Sequence, residues 1–352
     1  MKKIFITGES GTIPLAIQKQ LLNNSKYQIV NSQLDDLRYD LKPYKDWQSF
    51  KVREKEINFL DRDLLFNRLD WLWKDVDIII HSGAFVGTDF CADTPESAIK
   101  ANVEGTNNIV DICNKFNIKL CYFSTTAILN PGDYSETNPM TEGTEIEPQT
   151  LYGITKYSGE QIVKKLCKTE KMVIRPVFGF SDYPDDLHSA LTKAIYLIYH
   201  NGVAGSHKGL SKKLEILLDT KIKKSYTRVE NIGAAVINLI DQEHWSETFH
   251  VGENYDSAVD WPALFTIIKK SFREIIGDEP LTQWIDKISI DDPNIIWKPE
   301  LDYLHWHNMN DSKISKNGCK FVDLPNYISL SEGIKKTCQS VIKNYNKKPY
   351  WI

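Results

Sequence analysis

Tyr152 and Lys156 stand four positions apart in Tyr152-Gly153-Ile154-Thr155-Lys156, at the head of a stretch, Tyr152–Cys167, whose apolar residues recur every three or four positions. On a helix this spacing sets a phenol and an ammonium on one face, where both can address one bound ligand. A tyrosine with its ordinary pKa of about 10 is a poor proton donor or acceptor at neutral pH, and a nearby ammonium favours the phenolate and moves it toward working range. The same spacing also suits a half-exposed helix with a snorkelling lysine. Upstream, Leu120–Phe123 runs into Ser124-Thr125-Thr126, so hydroxyls emerge at the carboxyl end of an expected strand, where open α/β sheets bind ligands. Thr126 is then placed to hold a substrate carbonyl or alcohol for Tyr152, although hydroxyls there also cap strands and turns.

A second group lies near the start. Thr7-Gly8-Glu9-Ser10-Gly11-Thr12-Ile13-Pro14 succeeds a short apolar strand and opens a helical pattern, the context that gives a glycine turn its meaning. Gly8 permits the tight turn, and Gly11 lets backbone N–H groups approach a pyrophosphate at the helix N-terminus. Pro14 takes the place of a third glycine, and proline is tolerated in a first helical turn because that N–H has no intrahelical partner. Many such turns bind nothing, so this motif draws its weight from its order with the Ser/Thr cluster and the Tyr152–Lys156 pair.

The elements that must position these residues alternate in the first half. Strands are expected at Lys3–Thr7, Tyr27–Asn31, Asp77–Ser82, Leu120–Thr125 and Met172–Arg175, with amphipathic helices Leu15–Leu22, Ala98–Phe116 and Tyr152–Cys167 between them. Alternation of this kind specifies an α/β fold, a Rossmann-type doubly wound parallel sheet. Beyond about Phe178 the alternation becomes irregular, punctuated by Pro184, Pro262, Pro280, Pro293 and Pro299, as in a smaller mixed α/β domain built around a site. The expected division is 1–178 for a dinucleotide-binding domain and 179–352 for a substrate domain, with about 225–255 returning to the first.

Composition excludes several classes. A net charge of -4 over 352 residues gives no concentrated basic face for nucleic acid or an anionic membrane. The six cysteines show no CxxC spacing and fit a reducing, cytoplasmic setting, and no hydrophobic stretch reads as a signal peptide or span. His305-Trp306-His307 lacks a third ligand, and no metal is expected. Most of the nine tryptophans are assigned to packing.

Taken in order, the early Thr-Gly-x-x-Gly turn, His81-Ser82-Gly83-Ala84, Asn102-Val103-Glu104-Gly105-Thr106, the Ser/Thr cluster and Tyr152-Gly153-Ile154-Thr155-Lys156-Tyr157-Ser158-Gly159-Glu160 resemble the extended short-chain dehydrogenase/reductases. That family includes nucleotide-sugar epimerases, reductases and dehydratases. The likeness extends to Ser225-Tyr226-Thr227-Arg228-Val229-Glu230-Asn231-Ile232, to Thr248-Phe249-His250-Val251-Gly252 and to Ser329-Leu330-Ser331-Glu332-Gly333-Ile334.

The resemblance implies hydride transfer at a sugar carbon, C4 by expectation, of a nucleoside-diphosphate sugar, as a keto-sugar reductase or an epimerase. It casts Tyr152 as proton exchanger, Lys156 as holder of the nicotinamide ribose and Thr126 as orienter of the reacting oxygen. It places Gly8, Ser10, Gly11, Thr12, Ile13, Asn31, Asn58, Phe59, Ser82, Gly83, Ala84 and Asn102 against the coenzyme. Phe85, Thr125, Phe178 and Arg228 fall on the substrate side. Asn31 with Arg38 tilts the coenzyme toward NADP, whereas Asp35 or Asp36 would favour NAD. Dehydratases of the family place Asp-Glu after the catalytic threonine, and this chain has Ala127-Ile128 after Thr126, which disfavours dehydration. The family's habit also implies a homodimer through Ala98–Phe116 and Tyr152–Cys167. A non-catalytic, coenzyme-binding regulator of the same fold is the alternative, since fold does not fix function.

Overall fold

The computed structural model describes residues 1–22, 24–30, 58–130, 140–182, 189–206, 214–216, 224–252, 258–288, 295–297 and 327–344. Six parallel strands form the central sheet: β1 (Lys2–Thr7), β2 (Tyr27–Ile29), β3 (Ile78–His81), β4 (Lys119–Phe123), β5 (Lys171–Pro176) and, far along the chain, β9 (Thr248–Val251). Their order is β2-β1-β3-β4-β5-β9. The direction of winding therefore reverses between β1 and β3, which opens a crevice beyond their carboxyl ends.

The side chains explain why these segments are strands buried on both faces. Ile4, Ile6, Ile78, Ile80, Cys121, Phe123, Met172 and Ile174 fill one core layer, while Phe5, Ile79, Leu120, Tyr122 and Val173 fill the other. Each set obeys the two-residue alternation of a strand, and the near-continuous apolar runs are what a sheet covered on both faces requires. Helices α1 (Thr12–Leu21) and α8 (Val229–Asp241) cover the first layer, and α5 (Thr106–Phe116) and α6 (Leu151–Leu166) the second. Full burial of one such side chain contributes about 1.5–3 kcal/mol.

The expected strands coincide with observed ones to within a residue or two, but the expected helix Ala98–Phe116 is not one regular element. It consists of α4 (Pro95–Ile99), a wider turn over Lys100–Gly105 and α5. The turn carries Asn102 inward, and Gly105 meets the Phe59 ring so closely that a Cβ there would stand 2.4 Å from it. A short helix α2 (Asp70–Trp73) precedes β3, and α3 (Thr88–Asp93) precedes α4.

The remaining elements are β6 (Gly179–Phe180), α7 (Ala190–Ser206), β7 (Leu214–Ile216), β8 (Thr227–Arg228), α9 (Trp261–Ile276), α10 (Pro280–Lys287), β10 (Ile295–Trp297) and α11 (Leu330–Asn344). Strands β6 and β8 pair in parallel, as do β7 and β10. A separate apolar cluster, centred on Ile195, Trp261, Phe272 and Ile334, joins α7, α9, α10 and α11. None of the described helices is long and apolar enough to cross a membrane.

Candidate active site

Helix α6 delivers the central pair. Thr150 caps it by accepting a hydrogen bond from the Gly153 N–H at 3.0 Å, and Lys164 and Lys165 occupy the last turn, where cations favour the helix dipole. Its inner face packs on β4. There Lys156, 2 % exposed, donates from Nζ to the Phe123 carbonyl at 2.5 Å, and its ammonium stands 4.5 Å from the centre of the Tyr122 ring. The Tyr122 hydroxyl in turn donates to the Lys156 carbonyl. Tyr152 lies one turn earlier, with its hydroxyl on the Thr125 side chain.

Burial sets the acid–base character of this pair. It drives the Lys156 ammonium down to about 7, against the opposing pull of Glu160 and Cys91. It pushes the Tyr152 phenol up to about 12, an effect that the Thr125 hydrogen bond reduces and Cys91 adds to. A phenol so placed needs a cation or a proton-accepting oxygen beside it to exchange its proton near neutrality.

Thr125, rather than Thr126, is the hydroxyl that meets Tyr152. Thr125 also accepts from the Ala127 N–H at 3.1 Å, which fixes it at the start of the helical turn Thr126–Ile128; Thr126 is buried within that turn. In sequence the two threonines differ by a single position, and only the strand's end point separates them.

The glycine turn after β1 is tight. Gly8 has a φ of 64°, and a Cβ on it would stand 2.6 Å from the Gly83 Cα, so β1 and β3 approach through two glycines. The Gly11 N–H is bonded to the Gly8 carbonyl and the Leu15 N–H to the Gly11 carbonyl. This leaves the N–H groups of Thr12 and Ile13, in the first turn of α1, without helical acceptors, while Pro14 has none to satisfy. Ser10 lies in the turn itself.

The next strand end is tied to the first. Thr7 Oγ1 accepts from the Gly83 N–H at 2.9 Å, Ser82 Oγ donates to the Thr7 carbonyl at 2.6 Å, and His81 Nδ1 meets Thr7 Oγ1 at 2.7 Å. Burial, and then Lys156, hold His81 neutral, down to about 3. Beyond Ala84, Asn102 clamps the backbone of Phe85 from both sides: Oδ1 accepts from its N–H at 2.8 Å and Nδ2 donates to its carbonyl at 2.9 Å. The same Nδ2 reaches Thr155 of α6 at 3.0 Å. Cys91, on α3, adds a thiol contact to the Phe85 carbonyl.

Other expected residues have mostly structural engagements. Asn58 Oδ1 accepts from the Leu60 N–H at 3.0 Å, and Phe59 packs edge-on against His81. Arg228, 1 % exposed, is held by Asp182, Glu230 and Thr337 and lies over the Phe180 ring. Its guanidinium braces β6, α8 and α11 together. Phe178 is half-buried and receives the Lys224 ammonium 4.9 Å from its ring centre. Asn31, with Asp35, Asp36 and Arg38, lies outside the described residues, as do His305 and His307.

His81, Tyr122, Cys91 and the Glu160–Arg175 pair join the site without having been expected there as functional side chains. For Glu160 a signal existed: it stands beyond Lys156 at the same four-residue interval that joins Lys156 to Tyr152. His81 opens the His81-Ser82-Gly83-Ala84 motif without a role of its own, and the contacts of Tyr122 and Cys91 join elements far apart in sequence and carry no local signature.

The family model described as "RmlD substrate binding domain" matches residues 1–264. A protein of Methanocaldococcus jannaschii, named provisionally as a UDP-glucose 4-epimerase, is 26 % identical over 85 % of this chain and 94 % of its own length. A dTDP-D-glucose 4,6-dehydratase of Dictyostelium discoideum is 24 % identical over 100 % of this chain and 83 % of its own. Among solved structures, a UDP-glucuronic acid 4-epimerase of Bacillus cereus in complex with UDP-glucuronic acid and NAD superposes with a TM-score of 0.69, at 17 % identity, over 97 % of this chain and 100 % of that one.

Proposed function

From the premise that this chain belongs to the extended short-chain dehydrogenase/reductases, in the RmlD substrate binding domain family, we propose that it transfers hydride reversibly at C4 of a nucleoside-diphosphate sugar. The observation that carries the reading is the convergence on one face of α6, at the carboxyl end of β4, of the buried Lys156 ammonium and the half-buried Tyr152 phenol, with the Thr125 hydroxyl on the phenol. Sequence spacing alone allowed a snorkelling, solvent-facing lysine; a desolvated ammonium held on a main-chain carbonyl is an arrangement suited to acid–base work.

The residues fit a nicotinamide dinucleotide. The Gly8–Gly83 approach leaves room only for backbone, and the spare N–H groups of Thr12 and Ile13 suit a diphosphate at the α1 N-terminus. Such a coenzyme, when bound, supplies or accepts the hydride. Tyr152 gives or takes the hydroxyl proton of the sugar, Thr125 orients the reacting oxygen, and the Lys156 ammonium holds the coenzyme ribose and favours the phenolate. The ring of Phe178 and the ammonium of Lys224 belong on the nucleotide-sugar side, and Arg228 acts as a brace behind them. Thr125 is succeeded by Thr126-Ala127, with no carboxylate pair for loss of water.

The assay is direct. The protein is denatured and any released coenzyme identified, then fresh protein is challenged with NADH or NADPH and a panel of nucleoside-diphosphate sugars and their 4-keto forms. Retained NAD with sugar isomerisation identifies an epimerase. An empty site with coenzyme consumed only on 4-keto sugars identifies a reductase; the loss of water from a sugar would refute the reading of the Thr125 segment. No turnover with any member of the panel, despite coenzyme binding, would leave the non-catalytic alternative in possession.

A further inference from the structure

Helix α6 carries four polar groups at successive four-residue steps: the Tyr152 phenol, the Lys156 ammonium and the Glu160 carboxylate on its inner side and, exposed at its end, the Lys164 ammonium. The third has no direct part in the chemistry proposed above, yet its side chain is wholly buried. Arg175 on β5 grips it with a fork, Nε to Oε2 at 3.1 Å and Nη2 to Oε1 at 2.6 Å, and Lys164 adds a contact at 2.6 Å. Arg175 is itself 2 % exposed, with Nη1 3.4 Å from His250 Nε2. Burial alone would raise this carboxylate; the hydrogen bonds and charge of Arg175, then Lys164, hold it down at about 2. It is anionic at every working pH.

A buried ion pair is a weak source of stability, because desolvation opposes the attraction and an apolar pair of like volume often serves as well. Its charge has a more specific use one turn away. Lys156 is as deeply buried and, among the described residues, its close partners are a carbonyl and an aromatic face. The groups around it are Tyr152 and Glu160 on its own helix, Tyr122 on β4, Cys91 on α3 and His81 on β3. Burial keeps the two phenols and the thiol protonated near neutrality and the imidazole uncharged. Among these groups Glu160 alone carries a formal negative charge at pH 7.

We propose that Glu160, fixed and kept ionised by Arg175, is the positioning residue that holds Lys156 in its charged form inside the fold. It touches neither substrate nor coenzyme; it acts through Lys156, so the proposal rests on the acid–base reading of Tyr152 and Lys156. Removing a neighbouring negative charge lowers the pKa of every group that feels it, and a desolvated lysine near 7 would become mostly neutral at physiological pH. A neutral lysine no longer favours the phenolate.

The test monitors Lys156 directly, by side-chain NMR titration of the full-length, lysine-labelled protein, with the signal assigned by its loss in Lys156→Met. Glu160→Gln is expected to move the Lys156 midpoint down by roughly one pH unit, and Glu160→Asp to restore most of it. Should Glu160→Gln fail to fold because Arg175 is left unpaired, Glu160→Gln/Arg175→Gln removes both charges, and the midpoint is still expected to fall because Glu160, and not Arg175, is among the charges that act on Lys156. A midpoint that stays in place in either folded variant, with only thermal stability reduced, overturns the proposal and leaves the pair a structural bridge. Where turnover is measurable, the alkaline limb of the kcat profile should move down with the midpoint. Absence of turnover in the unmodified protein tells against the proposed function, while the titration still decides the role of Glu160.

Discussion

A phenol raised to about 12 and an ammonium lowered to about 7 are each badly tuned alone. In the proposed reaction the two would act together, with a threonine hydroxyl on the phenol, to move one proton. Tyr152→Phe removes the exchanging proton and should cut kcat by about 10²–10⁴-fold with little change in coenzyme affinity. Thr125→Val should cost at least about tenfold in kcat, and Thr126→Val much less; steady-state kinetics with the substrate found in the panel assay would reverse this assignment if Thr126 proved the more sensitive. Lys156 also affects stability. Its folded pKa lies below its unfolded value of 10.5, so above about pH 7 the unfolded chain binds more protons and stability rises with pH. Between about pH 7 and the ordinary thiol value of about 8.5, urea unfolding should show this rise in the unmodified protein and a flatter profile in Lys156→Met. Equal slopes would mean that the lysine is solvated.

At the scale of elements, the site depends on how closely α6 can approach the turn Lys100–Gly105. A Cβ at Gly159 would stand 2.4 Å from the Tyr122 hydroxyl and 2.6 Å from the Asn102 carbonyl, neither of which can retreat without breaking a hydrogen bond of its own. Gly159→Ala should therefore lower stability by about 1–3 kcal/mol and, by lifting Tyr152 and Lys156 off β4, reduce kcat more than KM. A variant of full activity would show that α6 has slack. This contact also marks the limit of what could be read from sequence. The strands were legible because Ile78-Ile79-Ile80 and Leu120-Cys121-Tyr122-Phe123 are buried on both faces and say so in composition. The four-residue step of Tyr152 and Lys156 was legible because a helix repeats it. The break after Ile99 was not, since apolar periodicity runs across it while the ring that meets Gly105, Phe59, lies more than forty positions upstream. The choice of Thr125 over Thr126 was hidden for a related reason: one residue of strand end rotates the hydroxyl that points at α6, and no composition records it.

For the whole molecule, the sheet order sets β1 and β3 side by side at the switch point and β4 next to them, so the Gly8–Gly11 turn, the Gly83 segment and the Tyr152 pair lie at the same edge of the sheet. Helix α6 flanks that edge and also faces outward. Its outer surface exposes Ile154 at 47 %, and Ile99 at the end of the neighbouring α4 is 44 % exposed. Large aliphatic side chains left open on two adjacent helices form a face that a second copy can cover, and a two-fold axis there would bury the same residues on both protomers. Pairing through α6 would also stiffen the helix that carries both acid–base groups. The expected result is a homodimer by sedimentation equilibrium, converted to monomer by Ile99→Asp/Ile154→Asp. Because these two side chains point away from β4, the monomer should bind coenzyme as before and lose turnover only in so far as α6 loosens. A chain that sediments as a monomer at high concentration, or a double variant that stays dimeric, would place the interface elsewhere and leave the stiffness of α6 to contacts within the chain, the Asn102–Thr155 and Glu160–Arg175 bonds among them.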